Sequence, residues 1–222
     1  LIWAVVPVKD FQTAKQRLRA VLAPDERHAL ARAMLEDVLA ALARVRELDR
    51  LVLVTREPQV VVLARRFGAV ILSESSNRGQ TAAVERALTE ARRQGASAVL
   101  ALPGDVPLIV PADVEAILRA GEQADVVLVP SRDGRGTNAV WLRPFAPLPL
   151  RFGEDSLRFH WCAARERALR TVILDLPRVA LDVDAPEDLS ELARQYAAVP
   201  ELARRSPTAA LFEERRWLAR FK

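Results

Sequence analysis

The sequence has little of what several common protein classes depend on. A single cysteine, Cys162, in 222 residues leaves no intramolecular disulfide to form and is read as inert packing. With only eight glycines there is neither a collagen repeat nor a low-complexity tract. No Gly-x-Gly-x-x-Gly or Walker loop occurs either, which argues against a dinucleotide oxidoreductase or a P-loop kinase. Long apolar runs are also missing. The opening stretch Leu1–Val8 is interrupted by Pro7 and stopped by Lys9, too short for a membrane span or a signal core, so a cytoplasmic protein with no membrane partner is expected. Lysine is the scarcest charge: Lys9, Lys15 and Lys222 are the only three, against thirty arginines.

What remains is half hydrophobic and 28% charged, ample for a sizeable core. The net charge is +4. A nucleic-acid binder would gather its charge on one stripe. Here arginine alternates with glutamate, as in Arg86–Glu90 and Glu166–Arg170, a pattern of solvated helix faces with i,i+4 pairs. No nucleic-acid partner is expected.

Short β-branched runs alternate with longer helical periods. Strands are expected at Ile2–Val8, Leu51–Thr55, Ala69–Ser73, Ala98–Leu102, Val126–Pro130, Asn138–Leu142, Thr171–Leu174 and Val179–Val183. Helices are expected at Asp25–Val45, Pro58–Phe67, Gly79–Gln94, Pro111–Gly121, Asp155–Ala168 and Pro186–Ala197. This alternation predicts an α/β fold with a mostly parallel sheet covered on both faces, and a ligand site at the carboxyl ends of its strands. The Gly-, Pro- and Arg-rich stretch Ser131–Gly153 reads as a flap over that site. Residues 1–197 read as one domain, and 198–222 as an amphipathic extension that docks on its own domain or on a second copy of the chain.

The residues after the apolar runs carry the chemistry. Lys9 and Lys15, two of the three lysines, share one loop with Arg17, and compact ammonium groups suit phosphate oxygens. In Leu102-Pro103-Gly104-Asp105-Val106-Pro107, Gly104 lets backbone approach a ligand and Asp105 sits where a divalent cation is held against phosphates. In Leu181-Asp182-Val183-Asp184-Ala185-Pro186, extended backbone points both carboxylates to one face. They repel unless a cation lies between them, although Asp184 is equally placed to cap the next helix. Two further segments, Asp133-Gly134-Arg135-Gly136-Thr137-Asn138 and Phe152-Gly153-Glu154-Asp155-Ser156, offer glycines, hydroxyls and the start of a helix whose free N–H groups bind anions. His160 and His28 read as packed or partly exposed side chains rather than catalytic ones.

Taken together and in order, these segments resemble the CofC/FbiD family of guanylyltransferases of deazaflavin coenzyme F-420 biosynthesis, over residues 3 to about 192. The resemblance implies the nucleotide-diphospho-sugar transferase fold, a three-layer α/β/α Rossmann-like sandwich with a mixed, mostly parallel sheet. It implies an enzyme that joins GTP to phosphoenolpyruvate and releases pyrophosphate, with 2-phospho-L-lactate or 3-phosphoglycerate as other acceptors. By the same resemblance Thr137, Gly153 and Ser156 meet the acceptor, and Lys9, Lys15 and Arg17 meet the triphosphate. Pro103, Gly104, Gly79 and Gln80 lie against the nucleotide, and Asp105 with Asp182 or Asp184 holds Mg2+. Two positions depart from the family: Gln16 replaces a usual Ser or Thr, and Gln80-Thr81 replaces a usual Leu-Asn pair. A nucleotidyltransferase for another phosphate acceptor lacks the usual glycine-rich first loop. A non-catalytic nucleotide-binding module would have little use for three carboxylates.

Overall fold

The computed structural model describes residues 1–74, 76, 78–143 and 146–221. Along the chain lie β1 (Ile2–Pro7), 3₁₀ turns at Phe11–Thr13 and Gln16–Ala20, α1 (Pro24–Leu42), β2 (Arg50–Thr55), α2 (Val60–Arg66), β3 (Val70–Ser73) and α3 (Gln80–Arg93). They are followed by β4 (Ala98–Ala101), α4 (Pro111–Glu122), β5 (Val126–Pro130), β6 (Thr137–Leu142), α5 (Ser156–Glu166) and β7 (Thr171–Ile173). The chain ends in α6 (Pro177–Ala180), α7 (Pro186–Ala198), α8 (Pro200–Ala203), α9 (Pro207–Glu214) and α10 (Trp217–Arg220).

The strands form one sheet in the order β3-β2-β1-β4-β6-β5-β7. β6 pairs antiparallel with both β4 and β5, and every other pairing is parallel. Alternation along β1 sends Ala4 and Val6 into a core with α1, α2 and α4, and Trp3 and Val5 into a second core with α3 and α5. The result is the α/β/α sandwich expected from the sequence.

Three helices open by the same local device. Proline at the first helical position needs no hydrogen-bond partner for its nitrogen, and an acid two residues on reaches back to a free amide. Glu26 accepts from the Ala23 N–H at 2.8 Å, Asp113 from the Val110 N–H at 3.1 Å, and Asp188 from the Ala185 N–H at 2.8 Å. Asp188 therefore does the capping that Asp184 was equally placed to do, and neither Asp105 nor Asp184 is spent on it.

Four expectations need correction. The apolar run Val179–Val183 is not a strand: Pro177 starts the short helix α6, and the residues that follow it join no strand of the sheet. Ser131–Gly153 is not a flap, because β6 lies inside it as an interior strand with every residue buried; Pro144 and Phe145 fall outside the described residues. Cys162 is exposed rather than packed. Neither i,i+4 pair forms: Glu90 takes the nearer Arg93, and Arg170, beyond the end of α5, makes a two-pronged pair with Asp125.

A third core lies under one edge of the molecule. Leu18 and Val183 meet Met34, Leu192, Phe212 and Trp217 there, so α9 and α10 pack against α1 and α7 of the same chain. Lys222 is outside the described residues. At the α1–α9 contact, Asp37 is buried and accepts from the Ser206 hydroxyl at 3.0 Å and the Thr208 N–H at 3.1 Å.

Candidate active site

A cleft of about 940 Å3 opens at the edge of the sheet where β1 and β4 end. Because β6 runs the other way, its first residue, Thr137, stands on that same rim. Volume of this order accommodates a nucleotide-sized ligand. Lys9, Lys15, Gln16 and Arg17 line the cleft after β1, and Gly79 and Gln80 line it at the start of α3. Pro103, Gly104 and Asp105 follow β4, and Gly153, Asp182 and Asp184 complete the wall.

Ser156 is the one residue singled out from the sequence that does not line it. It lies fully buried behind Gly153, and its hydroxyl makes no hydrogen bond among the described residues. The start of α5 is not an open anion cup either. The Ser156 N–H already bonds the Gly153 carbonyl at 3.2 Å, and the Leu157 N–H bonds the Arg135 carbonyl at 3.0 Å. That turn is fixed from outside by Arg135, whose guanidinium pairs with Glu154 at 2.7 Å and Asp155 at 2.9 Å.

On the β1–β4 side, Lys15 sits between two carboxylates, with Nζ 2.5 Å from Asp105 Oδ2 and 2.7 Å from Asp184 Oδ1. Its backbone is left-handed, φ 56° and ψ 39°, a conformation that costs a non-glycine residue about 1–2 kcal/mol. The ion pairs offset that strain. Burial alone would pull the ammonium down, but Asp105 and Asp184 outweigh it and hold the ammonium above its ordinary value. Asp184 is pushed up by burial, and the Lys15 charge overrides this, leaving it below its ordinary value.

Asp182 behaves differently. Burial first, then the charge of Asp105, pushes it up to about 6, partly opposed by the Asn138 amide that donates to it at 3.0 Å. The same Asn138 nitrogen also donates to the carbonyls of Val179 and Ala180, so it holds the segment that carries both acids. The Val183 N–H bonds the Asp105 carbonyl at 3.1 Å and ties the two acidic segments together. In the sequence Asn138 stands out only as the last residue of the Asp133–Asn138 motif. The available signal was period-2 alternation, which turns it to the opposite face of β6 from Thr137.

Two of the three carboxylates share one ammonium in direct contact, with the charges of Lys9 and Arg17 acting on Asp184 from further off. Oδ1 of Asp105 is buried with no hydrogen-bond partner among the described residues. Among the described residues no three acids, histidines or cysteines are gathered to cage a cation by themselves. The unpartnered Asp105 oxygen, close enough to Asp182 to raise its pKa, fits a hard cation of the Mg2+ type, which commonly takes one or two protein carboxylates and completes its shell with water and substrate phosphates.

Comparison with known proteins agrees with this architecture. The sequence model of the family described as "Guanylyl transferase CofC like" matches residues 2–195. A phosphoenolpyruvate guanylyltransferase from Conexibacter woesei is 42% identical over 198 residues, which is 88% of this chain and 89% of that protein. A 2-phospho-L-lactate guanylyltransferase from Methanothermobacter thermautotrophicus is 40% identical over 189 residues, 85% of this chain and 82% of that protein. A crystal structure from Desulfovibrio desulfuricans G20, described as a nucleotide-diphospho-sugar transferase, superposes with a TM-score of 0.81 at 23% identity, over 99% of this chain and 96% of that one. The chain thus has the nucleotide-diphospho-sugar transferase fold, and it belongs to the CofC-like guanylyl transferase family, whose members are nucleotidyltransferases.

Proposed function

We propose that this chain joins GTP to phosphoenolpyruvate with release of pyrophosphate, within coenzyme F-420 biosynthesis. The observation that carries this reading is the division of one cleft. Lys9, Lys15, Arg17 and Asp105 face it from the strand ends of β1 and β4, while Thr137 and Gly153 face it from β6 and the start of α5. A triphosphate fits the first wall and a small phosphorylated acid the second. The relatives described above are named for phosphoenolpyruvate and, in one case, for 2-phospho-L-lactate.

In the reaction, a phosphate oxygen of the acceptor forms a bond to the α-phosphorus of GTP. The bond from that phosphorus to the bridging oxygen breaks, and pyrophosphate leaves with the electron pair. The attacking oxygen is already ionised, since the second pKa of a phosphate monoester is about 6, so no general base is required. The work left to the protein is in-line alignment and suppression of repulsion between two anions. Lys9 and Arg17, exposed at the mouth, meet the β- and γ-phosphates. Gly104 lines the cleft beside Asp105, and its missing Cβ makes room for Leu35, whose Cδ1 would stand 3.1 Å from one, rather than for a ligand. Lys15 holds Asp105 and Asp184 in place. Asp105 with Asp182 would hold Mg2+, which supplies charge neutralisation at the phosphates when bound.

The test is a pyrophosphate-release panel that crosses GTP, CTP and ATP with phosphoenolpyruvate, 2-phospho-L-lactate and 3-phosphoglycerate. Turnover is expected with GTP and phosphoenolpyruvate. Turnover restricted to CTP or ATP would overturn the nucleotide, and turnover restricted to 2-phospho-L-lactate or 3-phosphoglycerate would overturn the acceptor.

A further inference from the structure

Behind Thr137, out of reach of any ligand, lies a fully buried His160. Its Nδ1 is 3.1 Å from Thr137 Oγ1, and its Nε2 is 3.0 Å from the backbone nitrogen of Arg151. The rings of Phe152 and Phe159 pack on it edge-on, at 5.5 and 5.8 Å between centroids, and fix its plane. Of the two environments expected for His160, packed or partly exposed, it has the first. Its two hydrogen bonds nevertheless have a consequence for the cleft.

A backbone N–H can only donate. Nε2 of His160 must therefore accept from Arg151 through its lone pair and carries no proton. A neutral imidazole has one N–H, which then resides on Nδ1 and points at Thr137. The doubly protonated ring would break the Arg151 bond. Burial, followed by the charge of Arg151, draws its pKa down to about 4, so the ring is neutral at neutral pH. Thr137 Oγ1 is thus occupied from behind as an acceptor. Its own proton has no acceptor among the described residues, and the residue lines the cleft.

We propose that His160 is a positioning residue for the acceptor. Held in its Nδ1–H tautomer by the Arg151 amide, it fixes Thr137 as a hydrogen-bond donor toward the cleft. The Thr137 hydroxyl then favours an anionic oxygen, of a phosphate or a carboxylate, over a ligand hydroxyl that must itself donate. The inference rests on the reading of Thr137 as part of the acceptor wall. It gives that wall a polarity, set by one residue that touches no substrate.

The experiment combines Thr137→Val, His160→Leu, their double variant and His160→Asn, with KM for phosphoenolpyruvate and for GTP measured by pyrophosphate release. Nitrogen NMR on the wild-type protein reports the histidine tautomer without any substitution. Thr137→Val is expected to raise the acceptor KM about tenfold while leaving the GTP KM in place, the loss of one hydrogen bond to a charged group. His160→Leu should do nearly the same, and the double variant should be no worse than Thr137→Val alone. His160→Asn, whose amide can still donate to Thr137, should recover part of the loss. The NMR spectrum should show a protonated Nδ1 and a bare Nε2. An additive double variant, or an Nε2–H or doubly protonated ring at neutral pH, would overturn the proposal and leave the acceptor wall standing. A Thr137→Val enzyme with wild-type acceptor KM would instead overturn the acceptor reading of Thr137 and this inference with it. If His160→Leu does not fold, the His160→Asn kinetics and the wild-type spectrum still decide.

Discussion

The two walls of the cleft are built from different kinds of interaction. Next to β1 and β4, an ammonium is shared between two carboxylates at 2.5 and 2.7 Å, and a third carboxylate lies near enough to feel Asp105. Beneath Thr137, on the β6 and α5 side, the contacts run between neutral groups: a hydroxyl, an imidazole and an amide N–H. Charge–charge interactions are strong but fall off gently with distance and orientation. Neutral hydrogen bonds are weaker and depend steeply on direction. The charged wall, with Lys9 and Arg17 exposed at its mouth, is therefore suited to a ligand that carries several charges. The directional bonds beneath Thr137 are suited to telling one small acid from another.

The largest expected effect tests the charged wall directly. Asp105→Asn should lower turnover by about a hundredfold or more, because it removes a carboxylate proposed to hold Mg2+, while circular dichroism stays that of the native fold. Near-native pyrophosphate release by this variant would show that the charged wall does not hold a metal. Next in size is the effect at Lys15. Lys15→Met strips the counter-charge from Asp105 and Asp184, so turnover and melting temperature should fall together. Lys15→Arg should not restore turnover, because a planar fork cannot replace one nitrogen shared between two carboxylates. A fully active Lys15→Arg enzyme would mean that the exact geometry of this pair is dispensable.

The smallest effect belongs to a site remote from both walls and serves as their control. Burial pushes the Asp37 carboxyl up to about 7 from an ordinary 3.8, with the Ser206 and Thr208 bonds pulling part of the way back. The folded protein then binds this proton more tightly than the unfolded chain does. The associated stability is fully present below 3.8 and is lost as pH rises through about 7, with a slope of at most about 1.4 kcal/mol per pH unit. Melting temperatures of wild type and Asp37→Asn should therefore diverge across that window, the wild type losing stability toward neutral pH relative to the variant. Acceptor KM should not change. Parallel melting curves at every pH would show that Asp37 is ionised in the folded protein.

Much of this architecture was readable in the sequence, and for physical reasons. Continuous β-branched runs such as Leu51–Thr55 and Val126–Pro130 have few alternatives to buried strands, and the Pro-plus-acid starts of α4 and α7 locate those helices closely. The residues after strands were legible as a site because a mostly parallel sheet leaves its ligands nowhere else. What stayed hidden depended on pairing across the chain. Nothing local in Val179–Val183 says that the run is a short helix and an unpaired segment rather than a strand. Nothing local in Ser131–Gly153 says that a strand inside it inserts between β4 and β5. His160 looked like a packed residue because it is one. Its partners lie 23 and 9 positions away, and only the fold brings them to its two nitrogens.

The alternation at Asp182-Val183-Asp184 has a consequence for how this chain is able to vary in length. Val183 is fully buried in the third core, while the acids on either side line the cleft. One inserted or deleted residue between Asn138's anchor at Ala180 and the Asp188 cap would swap the two faces, driving a carboxylate into the apolar core and a valine into the cleft. The spacing here is as constrained as the residues themselves. Across variants of this chain, insertions should collect elsewhere, in turns where neither face is committed.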